Sequence, residues 1–359
     1  MKVGSIKELS PEKRLSITPD TSKSFKNLGL SVFLEKGYGD DLGYTDKDYI
    51  NNGVEILNNS DDVLLKSDLI CKVNFPNENE FKKLRDNSHL IVSNYNPEKE
   101  KIFVKDKVKI FALNLLPRIT RAQSMDVLSS QANLAGYRAV IESIYEYQKA
   151  IPMMMTAAGT VPAAKVLVVG AGVAGLQAIA TAKRLGAIVS ATDVRLTAKE
   201  QVESLGGKFL SVEGSENLET KGGYAKEAGE DFKKKQSEML ENAASKNDII
   251  ICTALIPGRP APRIITEKMI DKMKPGSIVF DLAVTQGGNS AYSEIDKIID
   301  KKGIKIIGIS NVMNKLPLTA SNLYAKNLFS FVRNLYSREK KQFVINLEDE
   351  IIKSTLLKE

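Results

Sequence analysis

The sequence predicts an α/β fold with two doubly wound parallel-sheet domains, separated by a cleft and joined by long helices. Short apolar runs typical of buried strands alternate with amphipathic helical patterns along the chain, and this alternation is typical of parallel sheets covered by helices. The 359 residues are 43% hydrophobic, which is enough for more than one core. One apolar run, at residues 166–169, ends in a series of glycines, as in the first turn of a Rossmann-like unit.

The first domain is predicted to comprise residues 1–125 and 321–359. It begins with a strand at 2–5, followed by a helix at 18–28 that opens with Thr18 and Pro19. Its remaining elements are strands at 31–35, 67–73, 89–93, 109–113 and 343–347, and helices at 78–85, 321–338 and 348–357. The helix at 321–338 is expected to return to this domain from the second one.

The second domain is predicted over residues 126–320. An uninterrupted amphipathic pattern at 124–149 predicts a long helix that connects the domains. Apolar runs then predict a six-stranded doubly wound sheet, with strands at residues 166–169, 188–192, 249–253, 277–282 and 305–309. Residues 211–230 are rich in glycine and charge without apolar periodicity, which predicts a long mobile loop.

Three glycines have the spacing of a dinucleotide-binding turn. Gly170 allows a tight strand-to-helix turn, Gly172 lets the backbone approach a pyrophosphate, and Gly175 lets the helix pack closely on the strand. The following strand ends in Asp193, whose carboxylate can accept hydrogen bonds from both ribose hydroxyls and repel a 2′-phosphate. These residues predict a site for NAD(H) in preference to NADP(H).

Composition excludes several other classes of protein. Lys7 and Glu8 place charges where a signal peptide has its apolar core, and prolines and glycines interrupt the apolar region 151–182. We therefore expect neither export by that route nor a membrane span. The net charge of +7 comes from lysines interspersed with acids, and no nucleic-acid-binding module is recognisable.

The remaining reactive side chains suggest no second site. Cys71 and Cys252 stand in strand-like runs, the usual setting of buried reduced thiols, so neither a disulfide nor a metal site is expected. The single histidine, His89, stands at the start of a predicted strand, where a surface or capping role is expected. A catalytic relay based on histidine is therefore excluded elsewhere in the chain.

A second group of motifs makes the sequence resemble a known family. These motifs are PRITRAQSMDVLSSQANLAGYR at 117–138, MMMTAAGT at 153–160, GGYAKE at 222–227 and TALIPG at 253–258. With the glycine motif, they make nearly the whole chain similar to the alanine dehydrogenase/transhydrogenase family. Within that family, the chain resembles the NAD(H)-binding alpha subunit (domain I) of proton-translocating NAD(P) transhydrogenase.

The resemblance implies a set of nucleotide contacts. Arg118, Gln123 and Asp126 would orient the nicotinamide as the residues nearest the reaction, together with Ser129. The other implied contacts are Gly170, Gly172, Val173, Ala174 and Gly175 at the pyrophosphate, Asp193, Val194 and Arg195 at the adenosine half, Tyr224 on the mobile loop, and Gly223, Gln236 and Leu255 along the remainder. Taken without the resemblance, the polar residues before position 127 also fit a helix cap.

The resemblance also implies the reaction and the partners. NADH would pass its hydride directly to NADP⁺ held by a beta subunit, and the transfer would be coupled to proton movement across the membrane. Such a transfer needs placement of two nicotinamides and no proton-transferring side chain. The chain would form a homodimer on the cytoplasmic face of the inner membrane, attached through the NADP(H)-binding and membrane-spanning subunits.

Two alternatives remain open. Alanine dehydrogenases use a substrate-binding arginine, a lysine and a histidine; Arg14 is present here, but Asn74 stands where the lysine is expected and residues 91–96 offer no histidine. Lys72 remains a candidate for the missing lysine, and Thr285 departs from an acid that the family often carries. The chain could therefore be a soluble amino-acid dehydrogenase, or a non-enzymatic module that binds NAD(H) and reports redox state.

Overall fold

The computed structural model describes residues 1–97, 107–212, 229–256 and 259–357, with the side chains of residues 230–233 excepted. The chain divides into two compact units, one formed by Met1–Gln131 with Met313–Glu359 and the other by Ala132–Val312. The sequence-based domain boundaries, after residues 125 and 320, lie in the same two stretches of chain as these divisions.

The first unit contains a six-stranded parallel sheet with the order β3-β2-β1-β4-β5-β6. Its strands are β1 (Lys2–Ser5), β2 (Ser31–Glu35), β3 (Val54–Leu57), β4 (Leu69–Cys71), β5 (His89–Val92) and β6 (Lys109–Ala112). The helices between them are α1 (Pro19–Leu28), α2 (Asp46–Asn51), α3 (Ser60–Lys66) and α4 (Glu78–Lys83). Because the order reverses between β1 and β4, the sheet is doubly wound.

Local sequence explains how these elements form. The Thr18 side chain accepts a hydrogen bond from the Thr21 backbone N–H, and Pro19 stands in the first turn of α1, where its fixed φ favours a helix. Phe33 and Leu34 are adjacent in β2 but belong to different apolar clusters, because successive side chains of a strand point to opposite faces. Both faces of the sheet are therefore buried.

The second unit contains a seven-stranded sheet with the order β11-β10-β9-β12-β13-β15-β14, and a separate hairpin. The hairpin strands are β7 (Met154–Thr156) and β8 (Gly159–Val161). The sheet strands are β9 (Lys165–Val169), β10 (Ile188–Thr192), β11 (Lys208–Phe209), β12 (Ile249–Cys252), β13 (Ile278–Asp281), β14 (Lys297–Lys301) and β15 (Ile304–Gly308). All pairings in this sheet are parallel except that of β14 with β15. The α/β fold with parallel sheets is thus confirmed.

The expected count of six strands in this sheet is wrong. The strand β14 lies at the edge of the sheet, and four of its five residues are exposed. It therefore lacks the apolar run that identifies a buried strand in a sequence. The two-residue strand β11 is too short to give any periodic signal.

The helices of the second unit are α5 (Val127–Glu146), which begins in the first unit, α6 (Val173–Arg184), α7 (Ala198–Ser204), α8 (Glu230–Ala244) and α9 (Glu267–Asp271). The chain then adds α10 (Pro317–Leu335), β16 (Tyr336–Ser337), β17 (Gln342–Phe343) and α11 (Glu350–Thr355) to the first unit. The expected helix at 124–149, the strand at 343–347 and the terminal helix at 348–357 are all shorter than predicted. Among the described residues, no helix is both long and apolar enough to cross a membrane.

Both cysteines are free and buried, which confirms the expected reduced thiols. His89 does not have the expected surface or capping position. Its half-buried ring lies 5.3 Å from the ring of Phe343 and 6.3 Å from that of Phe111, measured between centroids. The apolar residues that surround it come from β6 and β17, which sequence-local reasoning could not bring together.

Candidate functional site

The glycine turn lies where β9 ends and α6 begins. Gly170 has φ +95°, in the left-handed region that favours glycine. A Cβ at Gly175 would lie 1.9 Å from the Gly170 carbonyl oxygen, so only glycine allows the helix to approach the strand this closely. The local geometry is therefore that of a dinucleotide-binding turn.

The space beside this turn fits a pyrophosphate. A Cβ at Gly172 would meet no atom within 4 Å, and the adjacent Val173 is 40% exposed. The first turn of α6 has no side-chain cap, so its backbone N–H groups remain available to an anion. Ala174, in the same turn, is half-buried.

Asp193 follows β10 and closes the turn from the side. Its Oδ2 accepts a hydrogen bond of 2.7 Å from the Ala171 backbone N–H. The same carboxylate accepts bonds from the Arg195 backbone N–H, at 2.9 Å, and from the Arg195 guanidinium, at 2.8 Å to each oxygen. Burial raises the pKa of Asp193, but the hydrogen bonds from Arg195 and Ala171 outweigh it and leave the pKa below its usual value. The acid is therefore ionised at neutral pH.

Two residues that sequence reasoning missed hold the neighbouring turn after β12. The fully buried Asn289 accepts a hydrogen bond from the Ala254 backbone N–H at 3.0 Å, and donates to the carbonyls of Ala254 and Pro262 at 2.8 Å each. The Thr253 hydroxyl donates to the Gly170 carbonyl at 2.8 Å. The glycine turn and the turn that carries Leu255 are thus tied together. The only signal in the sequence is that Asn289 directly follows two glycines.

A third missed residue is Gly136 on α5. A Cβ at this position would lie 1.9 Å from the Ala174 carbonyl oxygen, so α5 packs against the first turn of α6 with no room for a side chain. One turn earlier on the same helix, Asn133 donates to Gln177 at 3.2 Å. The long helix therefore fixes the position of the proposed pyrophosphate turn.

The polar loop, residues 118–129, belongs to the first unit. It contains a 3₁₀ helix at Thr120–Met125 and then Asp126, whose carboxylate accepts hydrogen bonds from the Ser129 backbone N–H at 2.9 Å and from the Ser129 hydroxyl at 2.5 Å. Asp126 therefore caps α5, as one of the two interpretations of this segment required. Arg118 and Gln123 are exposed, and their role in nucleotide binding stays a prediction.

Side chains from α10 and from the C-terminal segment hold the polar loop in place. Asn327 donates to the Ser124 carbonyl at 2.9 Å and accepts from the Ser130 hydroxyl at 2.6 Å. Arg121 forms an ion pair with Asp349, and this hydrogen-bonded pair lowers the pKa of Asp349 despite partial burial. These contacts explain why residues so distant in sequence belong to one unit.

The structure brings some of the predicted residues together. Asp126 contacts Ser129, Asp193 contacts Arg195, and the glycines share one turn. Val194 is half-buried, Gln236 is half-buried on α8, and Leu255 is 40% exposed. Gly223, Tyr224 and most of the expected mobile loop lie outside the described residues.

A buried cluster of charges lies beyond the carboxyl ends of β1 and β4. Lys72 is 1% exposed, and its Nζ lies 3.5 Å from carboxylate oxygens of both Glu8 and Glu80. Burial raises the pKa of Glu8, against the opposing effect of Lys72. Arg14 donates to Glu12 through two guanidinium nitrogens and to Gln131 through the third. Lys72 is thus enclosed in ion pairs and presents no exposed amine to a substrate.

No metal centre is found among the residues that the structure describes, since no group of three or more His, Cys, Asp or Glu side chains could hold an ion. The nucleotide-binding features are therefore the strongest candidates for function.

Comparisons with known proteins agree with this geometry. Residues 4–135 match the family model "Alanine dehydrogenase/PNT, N-terminal domain", and residues 139–359 match the corresponding C-terminal domain. In Rhodospirillum rubrum, the alpha subunit of NAD(P) transhydrogenase is divided, and the chain is 49% identical to its first portion, over 99% of this chain and 95% of that protein.

Solved structures show the same fold. The transhydrogenase of Sinorhizobium meliloti superposes with a TM-score of 0.90 at 46% identity, covering 99% of this chain and 98% of that one. An L-alanine dehydrogenase superposes with a TM-score of 0.80 at 21% identity, covering 99% and 94%. The latter likeness extends to the fold alone.

Proposed function

This chain belongs to the alanine dehydrogenase/PNT family, and we propose that it is the NAD(H)-binding subunit of a proton-translocating transhydrogenase. The observation that carries the proposal is the glycine turn beside the ionised Asp193, with open space at Gly172. The names of similar proteins supply the reaction class, because relatives with 49% and 46% identity are transhydrogenases.

In the proposed site, the backbone at Gly170, Gly172 and Gly175 lies against the pyrophosphate, with Val173 and Ala174 in the first turn of α6. Asp193, Val194 and Arg195 hold the adenosine half. Gly223, Tyr224, Gln236 and Leu255 line the remainder, and the loop at 211–230 closes over the nucleotide and excludes water.

We assign the nicotinamide end to the polar loop. Arg118 and Asp126 bond the carboxamide, Gln123 and Ser129 bond neighbouring groups, and none of them transfers a proton. NADH, when bound, supplies the hydride, and NADP⁺ on a partner subunit accepts it. The contribution of this chain is to fix the donor ring, which suits a reaction limited by the placement of two rings.

The partners follow from the same proposal. The relative in Rhodospirillum rubrum is only a portion of an alpha subunit, so the NADP(H)-binding beta subunit and the membrane-spanning subunit would be separate chains. They would hold this chain at the membrane surface and couple hydride transfer to proton movement.

A second copy of this chain is the remaining proposed partner. The hairpin β7–β8 and the residue before it expose Met153, Met154 and Met155 by 62%, 42% and 82%, and an isolated two-stranded hairpin is marginally stable in water. A homodimer in which each copy covers the other's hairpin would bury these side chains. Met155→Lys should shift the sedimentation of the purified chain from dimer to monomer, whereas Lys199→Met, at an exposed position away from the hairpin, should not.

The decisive experiment measures hydride transfer from NADH to NADP⁺ bound on the NADP(H)-binding domain of a related transhydrogenase. Formation of NADPH that requires both proteins would support the proposal. The control contains this chain with L-alanine and NAD⁺. Activity in that control alone would make the chain an amino-acid dehydrogenase, and NADH binding without activity in either mixture would favour a sensing module.

A further inference from the structure

We propose that Arg195 is a latent 2′-phosphate-binding residue, and that Asp193 sets the preference for NAD(H) by holding the Arg195 guanidinium. Simple repulsion between a carboxylate and a phosphate would give the same preference without any role for Arg195. The inference rests on the proposed NAD(H) site at the glycine turn, and it identifies which residue would bind NADP(H) once Asp193 is removed.

The first step of the argument is the number of bonds at Asp193. Oδ1 accepts from the Arg195 backbone N–H and from its Nε, and Oδ2 accepts from a terminal guanidinium nitrogen and from the Ala171 N–H. An ionised carboxylate has about four acceptor positions. These bonds therefore occupy all of them, and half of them come from the Arg195 guanidinium.

The second step is the electrostatic state of the pair. The Asp193 and Arg195 side chains are 7% and 17% exposed, and the guanidinium meets the carboxylate through two nitrogens. This bidentate geometry is the one that guanidinium groups also use to bind phosphate. In the pair, the charge of Arg195 is neutralised and its phosphate-binding edge faces Asp193.

The third step compares the two nucleotides. A ribose diol is neutral, so its hydroxyls can replace one guanidinium bond at Asp193 without adding charge to the partly buried pair. A 2′-phosphate would have to compete with the carboxylate for the same guanidinium edge, while lying next to a negative charge. Asp193 thus disfavours NADP(H) in two ways, and removal of its carboxylate leaves Arg195 in place to bind the phosphate.

The test is a double-mutant comparison on the full chain. Dissociation constants for NADH and NADPH are measured from the change in nucleotide fluorescence for the wild-type protein and for Asp193→Ser, Arg195→Gln and the double variant. We expect Asp193→Ser to bind NADPH at least about tenfold more tightly than wild type, the scale of a charge-assisted contact. In the double variant, that gain should disappear.

A second variant separates this result from damage to the fold. Asp193→Asn keeps an oxygen that can accept from the Ala171 N–H, and it should also tighten NADPH binding, again only when Arg195 is present. A gain in NADPH affinity that persists in Arg195→Gln backgrounds would overturn the proposal in favour of simple repulsion, as would no gain in either folded Asp193 variant. A wild-type chain that fails to bind NADH would instead refute the proposed function.

Discussion

The glycine turn and the polar loop are two parts of the proposed nucleotide site, and they are held in place by different kinds of contact. In the glycine turn, backbone atoms approach so closely that Gly136 and Gly175 leave no room for a side chain. In the polar loop, side-chain hydrogen bonds from Asp126 and Asn327 hold the backbone. The first arrangement tolerates one residue type at each contact, whereas the second could be made by several.

This difference predicts opposite responses to small substitutions. In the glycine turn, a single methyl group should be disruptive because the atoms it would meet belong to the backbone. In the polar loop, exchange of one hydrogen-bonding side chain for another should leave the fold intact and change only the nucleotide chemistry. Four substitutions, ordered by expected effect, test this contrast.

The largest effect is expected for Gly175→Ala. The added Cβ would lie 1.9 Å from the Gly170 carbonyl oxygen, so strand and helix must move apart, at a cost of about 3 kcal/mol in the free energy of unfolding. Urea denaturation with and without NADH measures the effect. The matched control is Gly172→Ala, where the Cβ meets no atom within 4 Å: it should fold normally and lose NADH affinity. Equal stability of the two variants would contradict the proposed role of close packing.

The second effect is expected for Asn289→Leu, which keeps a similar volume and removes three hydrogen bonds. The backbone groups of Ala254 lose their buried partner, at a cost of about 2 kcal/mol. Because this turn carries Leu255, NADH affinity should fall as well. Asn242→Leu, on α8 and outside this turn, is the control and should change neither quantity. Normal NADH binding by a destabilised Asn289 variant would show that the turn does not contact the nucleotide.

The same contrast explains what the sequence could predict. Gly170, Gly172, Gly175 and the acid at Asp193 were identifiable because the geometry of the turn dictates residue type and spacing. The polar loop was identifiable only through its resemblance to a family, because its residues also fit a helix cap, and Asp126 does cap α5. Sequence patterns could not reveal the partners of these residues, which come from distant segments.

Gly136 and Asn289 illustrate that limit. Gly136 stands in the middle of a helix, where glycine usually costs stability, and nothing in the local sequence relates it to Ala174. Asn289 follows Gly287 and Gly288 in a segment typical of a turn, although its side chain is fully buried. Both act through contacts between elements that only the folded sheet brings together.

A third, smaller effect is expected in the polar loop. Asp126→Ala removes the acceptor that caps α5 and should lower the free energy of unfolding by about 1 kcal/mol. Asp126→Asn keeps an acceptor oxygen and should be nearly as stable as wild type. If Asp126 also orients the carboxamide, both variants should slow hydride transfer to partner-bound NADP⁺ at saturating NADH. Wild-type rates for Asp126→Asn would limit the residue to its capping role.

The smallest effect concerns His89, which lies in neither region and shows how packing alone changes a titration. Burial lowers the pKa of His89, and its contact with the Asp68 carbonyl only partly opposes this change. The folded state therefore binds fewer protons than the unfolded state once the pH falls below about 6.5, the ordinary histidine value. The stability that depends on neutral His89 is present above that pH and is lost as the pH falls through it.

His89→Phe isolates this contribution, because it keeps a ring beside Phe111 and Phe343 and cannot be protonated. Unfolding free energies are measured by urea denaturation for both proteins from neutral pH down to about 5, which spans the ordinary histidine pKa. Their difference should change in favour of the variant as the solution becomes more acidic, since other titrating groups are common to both and cancel. A difference independent of pH would mean that His89 has the same proton affinity in the folded and unfolded chain, despite its aromatic surroundings.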